Sequence, residues 1–172
     1  MYDLEVGRVV AEVADSSRVL VQAPDGIKPY LGELVESLSR TAEVLVSGSR
    51  TWGGCDIALE EAEAVEADCI VHVGHHGPVG LDLPDKPKVV FVPAYCEVET
   101  SRVLERALDM LEGVERIGLL CSIQHAREMQ NLARRLEREG FRAVVGVPRD
   151  PKMAPGQVIG CDVSAAESIA DR

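Results

Sequence analysis

Two cysteines stand in the same short context. Gly54-Cys55-Asp56 closes the segment Ser47-Gly-Ser-Arg-Thr-Trp-Gly-Gly-Cys-Asp56, and Gly160-Cys161-Asp162 closes Gly156-Gln-Val-Ile-Gly-Cys-Asp162. Each reads as a loop after an apolar strand and before a helix. A thiol at a helix start meets the partial positive charge of unsatisfied backbone N–H groups, which favours thiolate. Thiolates ligate metals and iron–sulfur clusters and carry redox chemistry. Small cysteines also fill tight turns, and spacing alone leaves both readings open. The Cys55 segment holds the only tryptophan, Trp52.

Other polar residues gather at the ends of apolar runs. His72, His75 and His76 lie at one such end. Three imidazoles there admit a zinc site, but no HExxH-type glutamate accompanies them, and a polar binding loop is the better reading. Gln124-His125 sits near a helix start, where backbone N–H groups can meet an anion or simply be capped. In Gln22-Ala-Pro-Asp25-Gly, Asp25 is placed either to bind an amine or hydroxyl or to stabilise the turn. Cys69 and Cys121 lie within apolar runs and read as buried inert thiols, while Cys96 ends a strand and is intermediate. An odd count of five cysteines without a CxxC pair points away from a disulfide framework and a zinc ribbon. There is no GxGxxG, P-loop, GxSxG or CxxxCxxC.

The elements that must hold these residues alternate. Apolar runs at 18–22, 42–46, 68–73, 88–92, 117–121 and 141–147 predict strands. Helices are predicted at 2–13, after Pro29 with Leu31, Leu34, Val35 and Leu38 inward, and at 57–66. One further helix follows Thr100 as cap; another follows the lead-in Ser122 to His125, with Ala126, Met129, Leu132 and Leu136 on one face, until Gly140 stops it; a last spans 165–170. Residues 80–88, rich in proline and charge, form a connector. The strands are near-continuous apolar runs, as in parallel sheets covered on both faces. The expectation is an α/β chain of tandem parallel-sheet domains with flanking helices, divided as 1–95 and 96–172. The second domain lacks a closing strand, so the chain reads as a truncated form or a piece of a longer protein.

Composition narrows the function. Aromatic residues make up 3% of 172, so the core must be aliphatic. A formal net charge of −11 argues against a nucleic-acid surface, which demands clustered Lys and Arg. No window approaches the roughly 20 apolar residues of a spanning helix, and residues 1–10 carry no secretory pattern. A cytoplasmic location without a membrane partner is expected.

Taken in order, Gln22-Ala-Pro-Asp-Gly-Ile-Lys28, Thr51-Trp-Gly-Gly-Cys-Asp56, His72-Val-Gly-His75, Ser122-Ile-Gln124 and Gly156-Gln-Val-Ile-Gly-Cys161 resemble the archaeal diphthamide synthase, the 2-(3-amino-3-carboxypropyl)histidine synthase family. The resemblance runs from about Arg18 to the C-terminus. It implies a [4Fe–4S] cluster held by three cysteines, one from each of three similar α/β domains, with one iron open for S-adenosylmethionine. An electron, supplied by a separate donor, cleaves the bond between sulfur and the γ-carbon of the methionine moiety. The 3-amino-3-carboxypropyl radical then adds to a histidine imidazole of translation elongation factor 2, the first step of diphthamide synthesis. The family enzyme is expected to be a homodimer.

By this resemblance Cys55 and Cys161 match the first two cluster ligands. The third cysteine has no match, because the third domain is absent, and this chain alone is expected to hold iron poorly. Gln22, Asp25, His75, Gln124 and Gln157, all at strand ends, are assigned to S-adenosylmethionine. Trp52 stands where a smaller aromatic is usual, and His76 where serine is usual. A non-catalytic small-molecule or partner-binding module, or a zinc protein, remains the alternative.

Overall fold

The computed structural model describes residues 2–77 and 82–170; residues 80 and 81 of the expected connector lie outside them. The chain divides into two compact units, Tyr2–Ala94 and Tyr95–Arg172.

In the first unit, β1 (Tyr2–Asp3) precedes α1 (Val6–Glu12). This helix starts later than the expected residue 2. Asp3 accepts the Glu5 N–H, and Glu5 takes a left-handed conformation, which no helix continues. Then come β2 (Arg18–Gln22), α2 (Gly32–Leu38), β3 (Glu43–Val46), α3 (Leu59–Ala64), β4 (Cys69–Val73) and β5 (Lys88–Val92). Pro29 falls in a separate 3-10 turn, Lys28–Tyr30, ahead of α2.

The strands β3-β2-β4-β5 form one parallel sheet. Its pleat explains the continuous apolar runs. Val19 and Val21 point to the face covered by α1 and α2, with Val9, Val13, Leu34 and Leu38. Leu20 and Ile70 point to the other face, against Ala62 of α3 and partly buried Ile57 and Leu59. Both faces are therefore closed, as the sequence pattern required.

The chain leaves β2 for β3 on one side and returns to β4 on the other. The carboxyl ends of β2 and β4 thus flank a topological switch point, where open α/β sheets bind ligands. Gln22 ends β2 and pairs in register with His72 of β4.

The second unit holds β6 (Tyr95–Cys96), α4 (Thr100–Leu108), β7 (Arg116–Leu119), α5 (Met129–Arg138), β8 (Arg142–Val145) and α6 (Ser164–Ala170). β7 and β8 are parallel, and Leu119, Met129, Ala133 and Leu136 form the core beneath them with Leu104 of α4. Gly140, at φ 96°, ends α5 where a side chain would be strained. Three expectations shift. Thr100 is the first helical residue, not the cap; Glu99 holds that position without a side-chain bond, and Thr100 Oγ1 instead accepts Arg135 at 3.3 Å. Cys121 lies beyond β7, buried in an isolated bridge to Gln157. Residues Ile123–Glu128 form a 3-10 segment before α5, with the His125 N–H already bonded to the Ser122 carbonyl.

Candidate functional site

The loop between β3 and α3 carries Cys55, and its conformation is set from outside. A helix from residue 57, with Cys55 at its start, was expected. The helix begins at Leu59 instead, and Cys55 sits in a turn closed by the Asp56 N–H on the Gly53 carbonyl at 3.0 Å. The physical reason is Gln22. Its amide nitrogen donates to the Asp56 carbonyl at 2.5 Å, and its amide oxygen accepts the Ala58 N–H at 3.0 Å. The Asp56 carbonyl, which would accept the first bond of a helix begun at Ile57, is taken instead by a residue from β2. The helix-terminus argument for a Cys55 thiolate therefore lapses. The Asp56 carboxylate finishes the turn by accepting the Trp52 N–H at 2.9 Å.

Around this turn the switch point is polar and mostly satisfied. Gln22 is 1% exposed and His72 wholly buried. His72 Nδ1 lies 3.1 Å from the Gln22 amide oxygen, and its Nε2 lies 3.0 Å from His75 Nδ1. Burial pushes the His72 imidazolium down to about pKa 4, with neighbouring His75 adding to the effect. Burial lowers His75 as well, partly offset by Asp56. With both ring nitrogens engaged, His72 has no lone pair free for a metal. Gly54 packs against the histidine loop: a Cβ there would collide with the His76 carbonyl oxygen.

The remaining rim is tied by Lys28. Its ammonium donates to Asp25 at 2.9 Å and to the Ser49 carbonyl at 2.7 Å, joining the loop after β2 to the loop after β3. The Lys28 hydrogen bond holds the exposed Asp25 carboxyl below its ordinary pKa. Ser47 Oγ donates to Glu61 of α3 at 2.6 Å. Thus Gln22, Asp25, His75 and Cys55 gather at one end of the first sheet. Lys28, Asp56 and the buried His72 join them. The sequence signal that could have found that link was a polar residue within or ending each of two apolar runs, Gln22 after Val21 and His72 between Val71 and Val73.

In the second unit, Gln157 is wholly buried and bridges Cys121, while Gln124 is half-buried in the 3-10 segment. Cys161 lies in a turn closed by mutual backbone bonds of Ile159 and Asp162. Asp162 accepts the Ser164 N–H at 2.8 Å at the start of α6, and bonds from Ser164 hold its carboxyl below the ordinary range. Cys55 and Cys161 are free and exposed, whereas Cys69 and Cys121 are buried, with burial raising the pKa of both thiols.

Among the described residues, two buried polar atoms lack a partner: Thr51 Oγ1 and Gln157 Nε2. Each lies four residues before an exposed cysteine. Unpartnered buried groups of this kind are costly and need an account.

Comparison with known proteins now becomes decisive. The sequence model of the diphthamide synthesis protein family matches residues 23–172. The chain belongs to that family. It is 32% identical over 154 residues to the 2-(3-amino-3-carboxypropyl)histidine synthase of Pyrococcus horikoshii, covering 88% of this chain and 44% of that protein. Subunit 1 of the human 2-(3-amino-3-carboxypropyl)histidine synthase is 28% identical over 165 residues, covering 93% of this chain and 37% of the relative. The crystal structure of Dph2 from Pyrococcus horikoshii with a 4Fe-4S cluster superposes with a TM-score of 0.81 at 29% identity, over 97% of this chain and 50% of that one. The chain therefore spans half or less of the length of these relatives. No helix among the described residues is long and apolar enough to cross a membrane.

Proposed function

We propose that this chain forms the part of a diphthamide synthase that supplies two of three thiolate ligands, Cys55 and Cys161, to a [4Fe–4S] cluster. The carrying observation is the sorting of its cysteines. The two in Gly-Cys-Asp turns are exposed free thiols, while Cys69 and Cys121 are sealed in cores. The donor chemistry fits such a cluster, since thiolates are its usual ligands. Thr51 and Gln157, each four residues upstream of a proposed ligand, carry buried polar atoms without a protein partner. The fit extends to two of the three ligands.

When bound, the cluster supplies the electron that splits S-adenosylmethionine at the bond between sulfur and the γ-carbon. This chain's own residues position. Gln22 holds the Cys55 turn by its backbone, and Lys28 joins the rim loops. Asp25, His75, Gln124 and Gln157 are assigned to the cosubstrate. The acceptor is a histidine of translation elongation factor 2. A separate reductant, a homodimeric assembly, an archaeal-type enzyme and a cytoplasmic location complete the reading.

The test places this chain in the matching half of the Pyrococcus horikoshii enzyme. The anaerobically reconstituted, dithionite-reduced graft receives carboxyl-labelled S-adenosylmethionine and archaeal elongation factor 2. Label transferred to the factor is expected. No transfer by the graft, alongside transfer by the Pyrococcus enzyme itself, would refute the proposal.

A further inference from the structure

The hydrogen bonds through Gln22, His72 and His75 have a direction, and two backbone groups set it. The Asp56 carbonyl can only accept, so the Gln22 amide nitrogen must face it; the Ala58 N–H can only donate, so the amide oxygen must take it. A flipped amide would satisfy neither. His72 Nδ1 faces that same oxygen at 3.1 Å and must therefore carry a proton. In the wholly buried, neutral His72 ring, Nε2 is then a lone pair. His75 Nδ1, 3.0 Å away, must supply the proton between them. His75 Nε2 has no hydrogen-bond partner among the described residues and is left bare. Free histidine in water favours the opposite tautomer.

We infer that Gln22 and His72 are positioning residues with two linked tasks. They hold His75 as its Nδ1–H tautomer, presenting a bare Nε2 acceptor at the switch point beside the Cys55 turn. Through Asp56 and Ala58, Gln22 also fixes the turn itself. The Cβ of His75 would lie 3.6 Å from a Cβ built on Gly54, so the two loops are in contact where this acceptor is presented. Only the use of the acceptor in group transfer rests on the proposed function.

The test needs neither iron nor cosubstrate, so its failure and that of the proposed function are distinguishable. Nitrogen-15 long-range correlation spectra of the 172-residue chain at pH 8 report which ring nitrogen carries each proton. The expected result is Nδ1–H with bare Nε2 for both His72 and His75. His75 protonated on Nε2 in the unsubstituted chain overturns the inference, whether or not any variant folds. Two variants separate the tasks. His72→Leu leaves Gln22 on the turn, so His75 moves to the Nε2–H tautomer while Cys55 alkylates at its original rate. Gln22→Leu moves the tautomer and raises Cys55 alkylation several-fold, with Cys161 unchanged. A merely structural role would lower stability and leave the His75 tautomer in place, which also counts against the inference.

Discussion

Gly54 faces the carbonyl oxygen of His76 so closely that no β-carbon fits between them. The turn bearing Cys55 and the loop bearing the histidines are thus one packed unit, pressed backbone to backbone. The obstacle is main chain, which cannot swing aside as a side-chain tip would.

Gly54→Ala should therefore displace one loop or the other. Overpacking of this kind costs about 1–3 kcal/mol. Urea unfolding should show that loss, and Cys55 alkylation should change while Cys161 alkylation does not. Gly53→Ala is the control, because a Cβ there meets nothing closer than the Cys55 sulfur at 3.9 Å.

His72 sets a pH dependence. Its folded pKa, about 4, lies below the unfolded value of about 6.5. The unfolded chain binds the proton more readily, so this contribution is full above pH 6.5. It declines as pH falls through 6.5 towards 4. Two to three pKa steps correspond to stability on the order of 3 kcal/mol. Urea midpoints at pH 7.5 and pH 4.5 should differ by much less in His72→Leu than in the unsubstituted chain.

Asp25 owes its lowered pKa first to the hydrogen bond from Lys28. Lys28→Met should let the Asp25 carboxyl titrate at higher pH, towards its ordinary range, as carbon-13 NMR can follow. An unmoved titration would show that the ion pair is not formed in solution.

Leu34 of α2 is fully buried in the cluster with Val9, Val13 and Leu38. Leu34→Ala should cost about 2–5 kcal/mol in urea unfolding, since the cavity cannot fully close. Met110, which is 84% exposed, should tolerate alanine within about 0.5 kcal/mol.

The fold class was legible because of residues such as Val19, Leu20 and Val21. Three consecutive apolar residues in a strand mean that both faces are covered, and helices α1 to α3 cover them. The start of α3 was not legible. Periodicity places it near Ile57, but Gln22, 34 positions upstream of Asp56, takes the backbone carbonyl that an earlier helix start would use. Thr100 misled for the same reason: its hydroxyl accepts a bond from Arg135 of another helix and does not cap its own helix start. Local propensity saw neither, because both partners come from elsewhere in the chain. The likeness of the two Gly-Cys-Asp segments was visible at once. The orphaned Thr51 and Gln157 atoms before them required coordinates.

The central claim is that Cys55 and Cys161 are cluster ligands and the buried cysteines are not. The most direct test is iron and sulfide content, with electron paramagnetic resonance of the reduced sample, for this chain grafted into the Pyrococcus horikoshii enzyme. A [4Fe–4S] signal should form in the graft, persist in Cys69→Ala, and vanish in Cys55→Ala and in Cys161→Ala. A cluster that survives loss of either exposed cysteine, or a graft that takes up zinc and stays colourless, would contradict the account.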